Sequence, residues 1–231
     1  ITLVGSANTR TDGIEHTTYV TDIVIANLTV DGNGHTRPFT VDNATHGSCI
    51  RLSTVRDALV EGVSAINGYL HCIDVCASQY EPSWPTGSDG DVNYVVPGPS
   101  QRVVIRDCYA ADSVRDDPIT CHDSSDIVIE RCVVQRTIPL GSGDQHGIEV
   151  DEGCYRVAVT DCTVYDHNAG FQVKGHTNTT PSRDVVLTRC RAFRCRTSFH
   201  IYHANPSSLP VGKVSWAKNV ALIDCESIDP E

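Results

Sequence analysis

Seven segments of this chain share one pattern of apolar and polar positions: IVIANLTV from Ile23, ALVEGVSA from Ala58, VVIRDCYA from Val103, IVIERCVV from Ile127, VAVTDCTV from Val157, VVLTRCRA from Val185 and VALIDCES from Val220. Positions one and three are apolar, position six is Cys or apolar, and position eight is mostly small or β-branched. The sixth column reads Leu28, Val63, Cys108, Cys132, Cys162, Cys190 and Cys225, at steps of 35, 45, 24, 30, 28 and 35 residues. A second alternating segment follows most of these: SCIRLS from Ser48, HCIDVC from His71, DPITCH from Asp117, HGIEVD from His146, AGFQVK from Ala169 and TSFHIY from Thr197. Its third and fifth residues are mostly apolar, the period of a half-buried strand. No stretch of useful length has the 3.6-residue period of a helix.

Short strands recurring at this spacing without crossover helices describe a solenoid whose coils bury their apolar faces only by stacking. The fold expected is all-β: a right-handed, single-stranded parallel β-helix of about eight coils, a single domain over residues 1–231. A β-sandwich is the competing architecture, but the links carry no recurrent hairpin signal. The strand-like start ITLVG and the stop at CESIDPE predict the central part of a longer chain, because a solenoid end offers a bare edge.

The repeat explains the cysteines. There are 11, an odd number without zinc-finger spacing. A stacked column of small buried hydrophobes predicts free inward thiols.

In-register stacking aligns the outward residues of the second segments. Between the apolar pair these are Arg51, Asp74, Thr120, Glu149, Gln172 and His200. Two residues on they are Ser53, Cys76, His122, Asp151, Lys174 and Tyr202. His71, Asp117 and His146 stand just before their strands, with Asp116 preceding Asp117. The first segments are blander outside (Val24, Leu59, Val104, Val128, Ala158, Val186, Ala221). Chemistry therefore gathers on one sheet, and neighbouring carboxylates there push each other's pKa values apart. The catalytic candidates are Asp116, Asp117, His146, Glu149, Asp151 and Lys174. The substrate-binding candidates are Arg51, Asp74, His122, Gln172, His200 and Tyr202, joined by Trp84 and Trp216 from the long inserts at 77–100 and 203–217. Both tryptophans are expected on one wall of a groove, where aromatic rings stack on sugars.

Charge narrows the partners. The net charge is −11, with 15 Arg and only 3 Lys, which repels a nucleic-acid backbone and fits a polysaccharide or cell-surface glycan. No apolar run reaches membrane-span length. No cofactor is required by this chemistry; Asp74, Asp117 and Glu149 are the oxygen set for Ca²⁺ in a lyase variant.

The SDIVIERCVV-type repeats resemble those of the pectate-lyase-like superfamily. Asp116-Asp117 before a groove strand, His146-Gly147 in the next coil and Lys174 after Gln172-Val173 resemble motifs of polygalacturonase-family glycoside hydrolases. The family's arginine is replaced by Gln172, and His71 stands where an aspartate belongs. The repeats are also similar to those of bacteriophage tailspikes. The resemblance implies an extracellular or virion-tail protein that binds a glycan and cleaves it as a hydrolase or lyase. The alternative it implies is a non-catalytic module of a trimeric phage tail protein.

Overall fold

The computed structural model describes residues 1–4, 6–9, 15–36, 47–77, 98–138, 145–151, 153–175, 181–203 and 217–230. These fold into three parallel sheets of seven strands each and one antiparallel hairpin, Ser6–Thr9 with Glu15–Thr18. What we term the back sheet holds Val20–Ala26, Val55–Glu61, Gln101–Arg106, Ser125–Glu130, Tyr155–Thr160, Arg183–Thr188 and Lys218–Ile223. A narrow sheet of three-residue strands runs from Thr29–Asp31 to Glu226–Ile228. The site sheet holds Thr2–Val4, Ile50–Ser53, Ile73–Cys76, Ile119–Cys121, His146–Val150, Ala169–Gly175 and Thr197–His203. The chain visits back, narrow and site sheets in turn, giving six complete coils with a partial coil at each end.

Three sheets rather than two follow from the middle of the octet, which the alternation alone reads as one strand. Its fifth residue (Asn27, Gly62, Asp107, Arg131, Asp161, Arg189 or Asp224) has positive φ in every coil. A left-handed residue ends a strand and turns the chain, so the octet is a strand, a corner and a short strand. Asp, Asn and Gly tolerate this conformation best. The arginines at these corners each pair with an aspartate one coil below: Arg131 with Asp107 at 2.8 and 2.9 Å, Arg189 with Asp161 at 2.7 and 2.8 Å. A parallel column at the start of the back strands, also at positive φ, pairs Arg102 with Asp57 and Arg156 with Asp126. These guanidiniums hold the Asp57, Asp107, Asp126 and Asp161 carboxyls below the usual range.

The octet's cysteines lie just inside that corner. Cys108, Cys132, Cys162 and Cys190 are buried on successive coils, all thiols are free, and Cys225 is half-buried. Each packs with the Ile/Val columns of the back sheet, such as Val60, Ile105, Ile129, Val159 and Leu187. The site sheet contributes the column Ile50, Ile73, Ile119, Ile148 and Phe171, with Phe171 stacked on Phe199 at 5.3 Å. Each such buried side chain contributes ~1.5–3 kcal/mol. Among the described residues, no helix is long and apolar enough to cross a membrane.

Candidate functional site

The outward ladder of the site sheet is in the register that the alternation predicts. Arg51 pairs with Asp74, Asp74 with Thr120, Thr120 with Glu149, Glu149 with Gln172, and Gln172 with His200. Beside it, Lys174 pairs with Tyr202, and the Asp151 amide bonds the Cys121 carbonyl next to His122.

Burial is where the site departs from an open groove. Arg51, Asp74, His122, His146, Asp151, Gln172 and Lys174 are all buried, and Asp117 and Glu149 are at most 1% exposed. Among the described ladder residues the far end is more open: His200 is half-buried and Tyr202 is 42% exposed, their rings 4.8 Å apart. Trp84 and Trp216 lie outside the described residues.

The predicted catalytic residues converge. The Asp117 carboxylate takes the His146 amide at 2.5 Å, and His146 Nδ1 stands 3.1 Å from Asp117 Oδ1 and 3.6 Å from Glu149 Oε1. Lys174 Nζ reaches Glu149 Oε1 and Asp151 Oδ2, both at 3.0 Å. Gln172 donates to Glu149 at 2.6 Å and contacts His200 Nδ1 at 2.8 Å. His122 Nδ1 lies 3.4 Å from Asp151.

The two central carboxyls are driven apart. Burial, then the charges of Glu149 and Asp116, push the Asp117 carboxyl well above the usual range. Burial and Asp151 oppose ionisation of Glu149 too, but Lys174 and hydrogen bonds with His146 and Asp117 outweigh them and hold it at about 2. A carboxyl whose protonated form is favoured thus sits beside one whose ionised form is favoured and a cation, the pairing that acid–base chemistry uses.

Asp116 and Asp117 divide their roles. Asp117 is fully buried, whereas Asp116 is partly exposed at 27%, and its carbonyl accepts from Ser113. His71, not counted above among the site candidates, belongs here. Its Nδ1 lies 3.0 Å from the Asp117 carbonyl and its Nε2 3.9 Å from Asp116 Oδ2. Its position immediately before a site strand, shared with Asp117 and His146, is the sequence signal that marks it.

Asp74 and Glu149 are two rungs apart with Thr120 between them, ~9–10 Å along the stack. Asp74 instead groups with His71 and His122, while Asp117 and Glu149 group with His146.

Known proteins agree with this architecture. The chain is 27% identical over 189 residues to "Putative phage-related protein YobO" of Bacillus subtilis (strain 168), which covers 79% of the chain and 22% of that protein. It is 26% identical over 213 residues to the "Pre-neck appendage protein" of Bacillus phage B103, covering 90% of the chain and 24% of that protein. The chain therefore spans about a quarter of the length of these relatives. An N-terminal fragment of bacteriophage phi29 gene product 12 shares the fold with a TM-score of 0.77 at 22% identity, over 89% of this chain and 33% of that one. Pectate lyase Pel9A follows at 0.52 and 12%, over 96% of this chain and 48% of that one. The pattern of the family described as "Right handed beta helix region" matches residues 13–187, and with three parallel sheets wound as a solenoid, this chain belongs to that right-handed β-helix family.

Proposed function

We propose that this chain is a β-helix module of a virion tail appendage whose site sheet engages a polysaccharide of the host surface. The observation that supports this reading is the mostly buried ladder of acids, bases and amides on the site sheet, from Arg51 through Glu149 to His200 and Tyr202, unlike the more exposed Arg–Asp pairs of the back sheet. The relatives include a phage pre-neck appendage protein, which favours a virion location; assembly as a homotrimer is a further part of the proposal. Among the described residues of the ladder, the most accessible contact point is the His200–Tyr202 pair. The test is binding of native protein to a panel of neutral and acidic bacterial glycans. Tyr202→Ala and His200→Ala should weaken the best ligand ~10-fold, an aromatic contact of ~1.4 kcal/mol. No binding to any glycan, or binding indifferent to both changes, overturns the reading.

A second reading, cleavage of that glycan, is favoured by one arrangement: Asp117, whose carboxyl is pushed well above the usual range by burial and Glu149, stands beside Glu149 and Lys174. Asp117 would protonate the leaving oxygen, Glu149 would act as the second carboxylate, and Lys174 would hold its charge. One carboxyl oxygen of Asp117 lies within 4.8 Å of one of Glu149, and the two carboxyls hydrogen-bond each other, so a bound sugar would have to part them. Release of new reducing ends is the expected result, with the anomeric configuration of the product read by NMR. Products absorbing in the ultraviolet would point to a lyase, and absence of new reducing ends or unsaturated products would leave binding alone.

A further inference from the structure

We propose that His71, Asp74 and His122 form a binding site for a zinc-class divalent transition-metal ion, independently of any glycan chemistry. His71 precedes the strand Ile73–Cys76, Asp74 lies within it, and His122 follows Ile119–Cys121 in the next coil. The His122 amide donates to the Val75 carbonyl at 2.8 Å, which locks one coil over the other. One donor atom from each residue lies within 4.8 Å of the other two. The imidazole centroids are 5.8 Å apart, and all three residues are at most 3% exposed.

A separate observation asks for a cation. Asp74 Oδ1 is buried without a hydrogen-bond partner, whereas Arg51 approaches the other oxygen, Oδ2, at 3.7 Å. An unpaired buried carboxylate oxygen is costly and rare, and a metal ion would satisfy it.

The histidines are oriented as ligands are. The Asp117 carbonyl can only accept, so His71 Nδ1 at 3.0 Å carries a proton and Nε2 is the nitrogen left to face the ion. His122 Nε2 is held by Thr120 Oγ1 at 3.1 Å, so Nδ1, which lies 3.4 Å from Asp151 Oδ2, is the nitrogen it offers to the ion. Such outer partners fix the rings of metal-binding histidines. Asp116 Oδ2, 3.9 Å from His71 Nε2, stands at the edge of the site for a fourth ligand or a bound water. Two imidazoles and one carboxylate suit Zn²⁺ or Co²⁺, whereas Ca²⁺ takes oxygen ligands. Tetrahedral zinc needs donor atoms about 3.4 Å apart, within reach of side-chain rotation.

The test uses the tag-free chain, stripped with a chelator and titrated with Co²⁺ and Zn²⁺. About one Co²⁺ per chain should give a visible d–d band, Zn²⁺ should displace it and raise the melting temperature, and a ~100-fold excess of Ca²⁺ should not, given the nitrogen donors. His71→Ala and His122→Ala should lose the band, while His35→Gln, on an exposed turn, should keep it. If the histidine variants do not fold, Thr120→Val should weaken Zn²⁺ ~10-fold with an unchanged circular-dichroism spectrum. Absence of any band or melting shift in the wild type, a band that survives both histidine changes, unchanged affinity in Thr120→Val or displacement by Ca²⁺ each overturns the site.

Discussion

At the scale of single residues, the outcome depends on which charges are buried and what each touches. Asp117→Asn removes the proton while nearly keeping shape, so a glycan-cleaving chain should lose ~10²–10⁴-fold in turnover yet still bind. Unchanged product release in that variant would remove Asp117 from the chemistry. His167 gives a second, independent expectation. Burial, then the Arg136 charge, holds its imidazole down at about 3, far below the ordinary ~6.5. The native state therefore keeps it neutral while the unfolded chain takes up a proton below pH ~6.5. Stability contributed by the neutral ring is complete above ~6.5 and falls by up to ~1.4 kcal/mol per pH unit towards pH 3. His167→Gln should flatten the dependence of the denaturation midpoint between about pH 6 and 4; an unaltered slope would contradict this. The positions of Glu149, Gln172 and Lys174 were legible because a strand has period two. Their burial was not, since outward positions on a half-buried strand read as solvated, and alternation carries no information about what covers a face.

At the scale of elements, the left-handed corner organises each coil. The octet carries a sign of it: its inward residues fall at positions one and three and then at six and eight, a change of phase that no single strand supports. The Arg/Asp alternation at those corners became visible only when the register placed Arg131 over Asp107 and Arg189 over Asp161. The inward thiol column was legible directly, because a small apolar residue recurs where the chain turns in. Native protein should accordingly react slowly with thiol reagents at Cys132 and Cys162, both fully buried; burst-phase labelling there would mean a wrong register. Cys162→Asp should unfold the domain, because no partner exists in that column for a buried charge. Gly147 offers a subtler probe. A Cβ there would meet Val164 Cγ1 and the Gly170 carbonyl oxygen, the latter at 2.6 Å. Gly147→Ala should therefore cost ~1–3 kcal/mol by overpacking, measured as a lower denaturation midpoint. An unchanged midpoint would mean that these two coils are more loosely stacked than described.

At the scale of the whole molecule, a solenoid differs from a globule because each coil contacts only its neighbours, so stability is a sum of adjacent interfaces. The broad architecture was legible from repetition alone, without any one coil needing to be assigned well. The inward columns allow a comparison at constant position. Ile129 and Leu222 occupy the same place in the back sheet, through the register Ile129–Val159–Leu187–Leu222. Ile129 is fully buried between coils, whereas Leu222 in the last coil is 43% exposed. Truncating Ile129 removes contacts with coils on both sides and leaves a cavity, so Ile129→Ala should cost ~2–5 kcal/mol. Leu222 has a neighbour on one side only and already meets water, so Leu222→Ala in this chain should cost well under half of that. Amide exchange should follow the same gradient, with Ile105, Ile129 and Val159 slowest and Lys218–Ile223 fastest. Denaturant midpoints of the two variants decide the matter. Equal losses would mean that the stack does not divide into neighbour interfaces, and that the one-dimensional account of its stability is wrong.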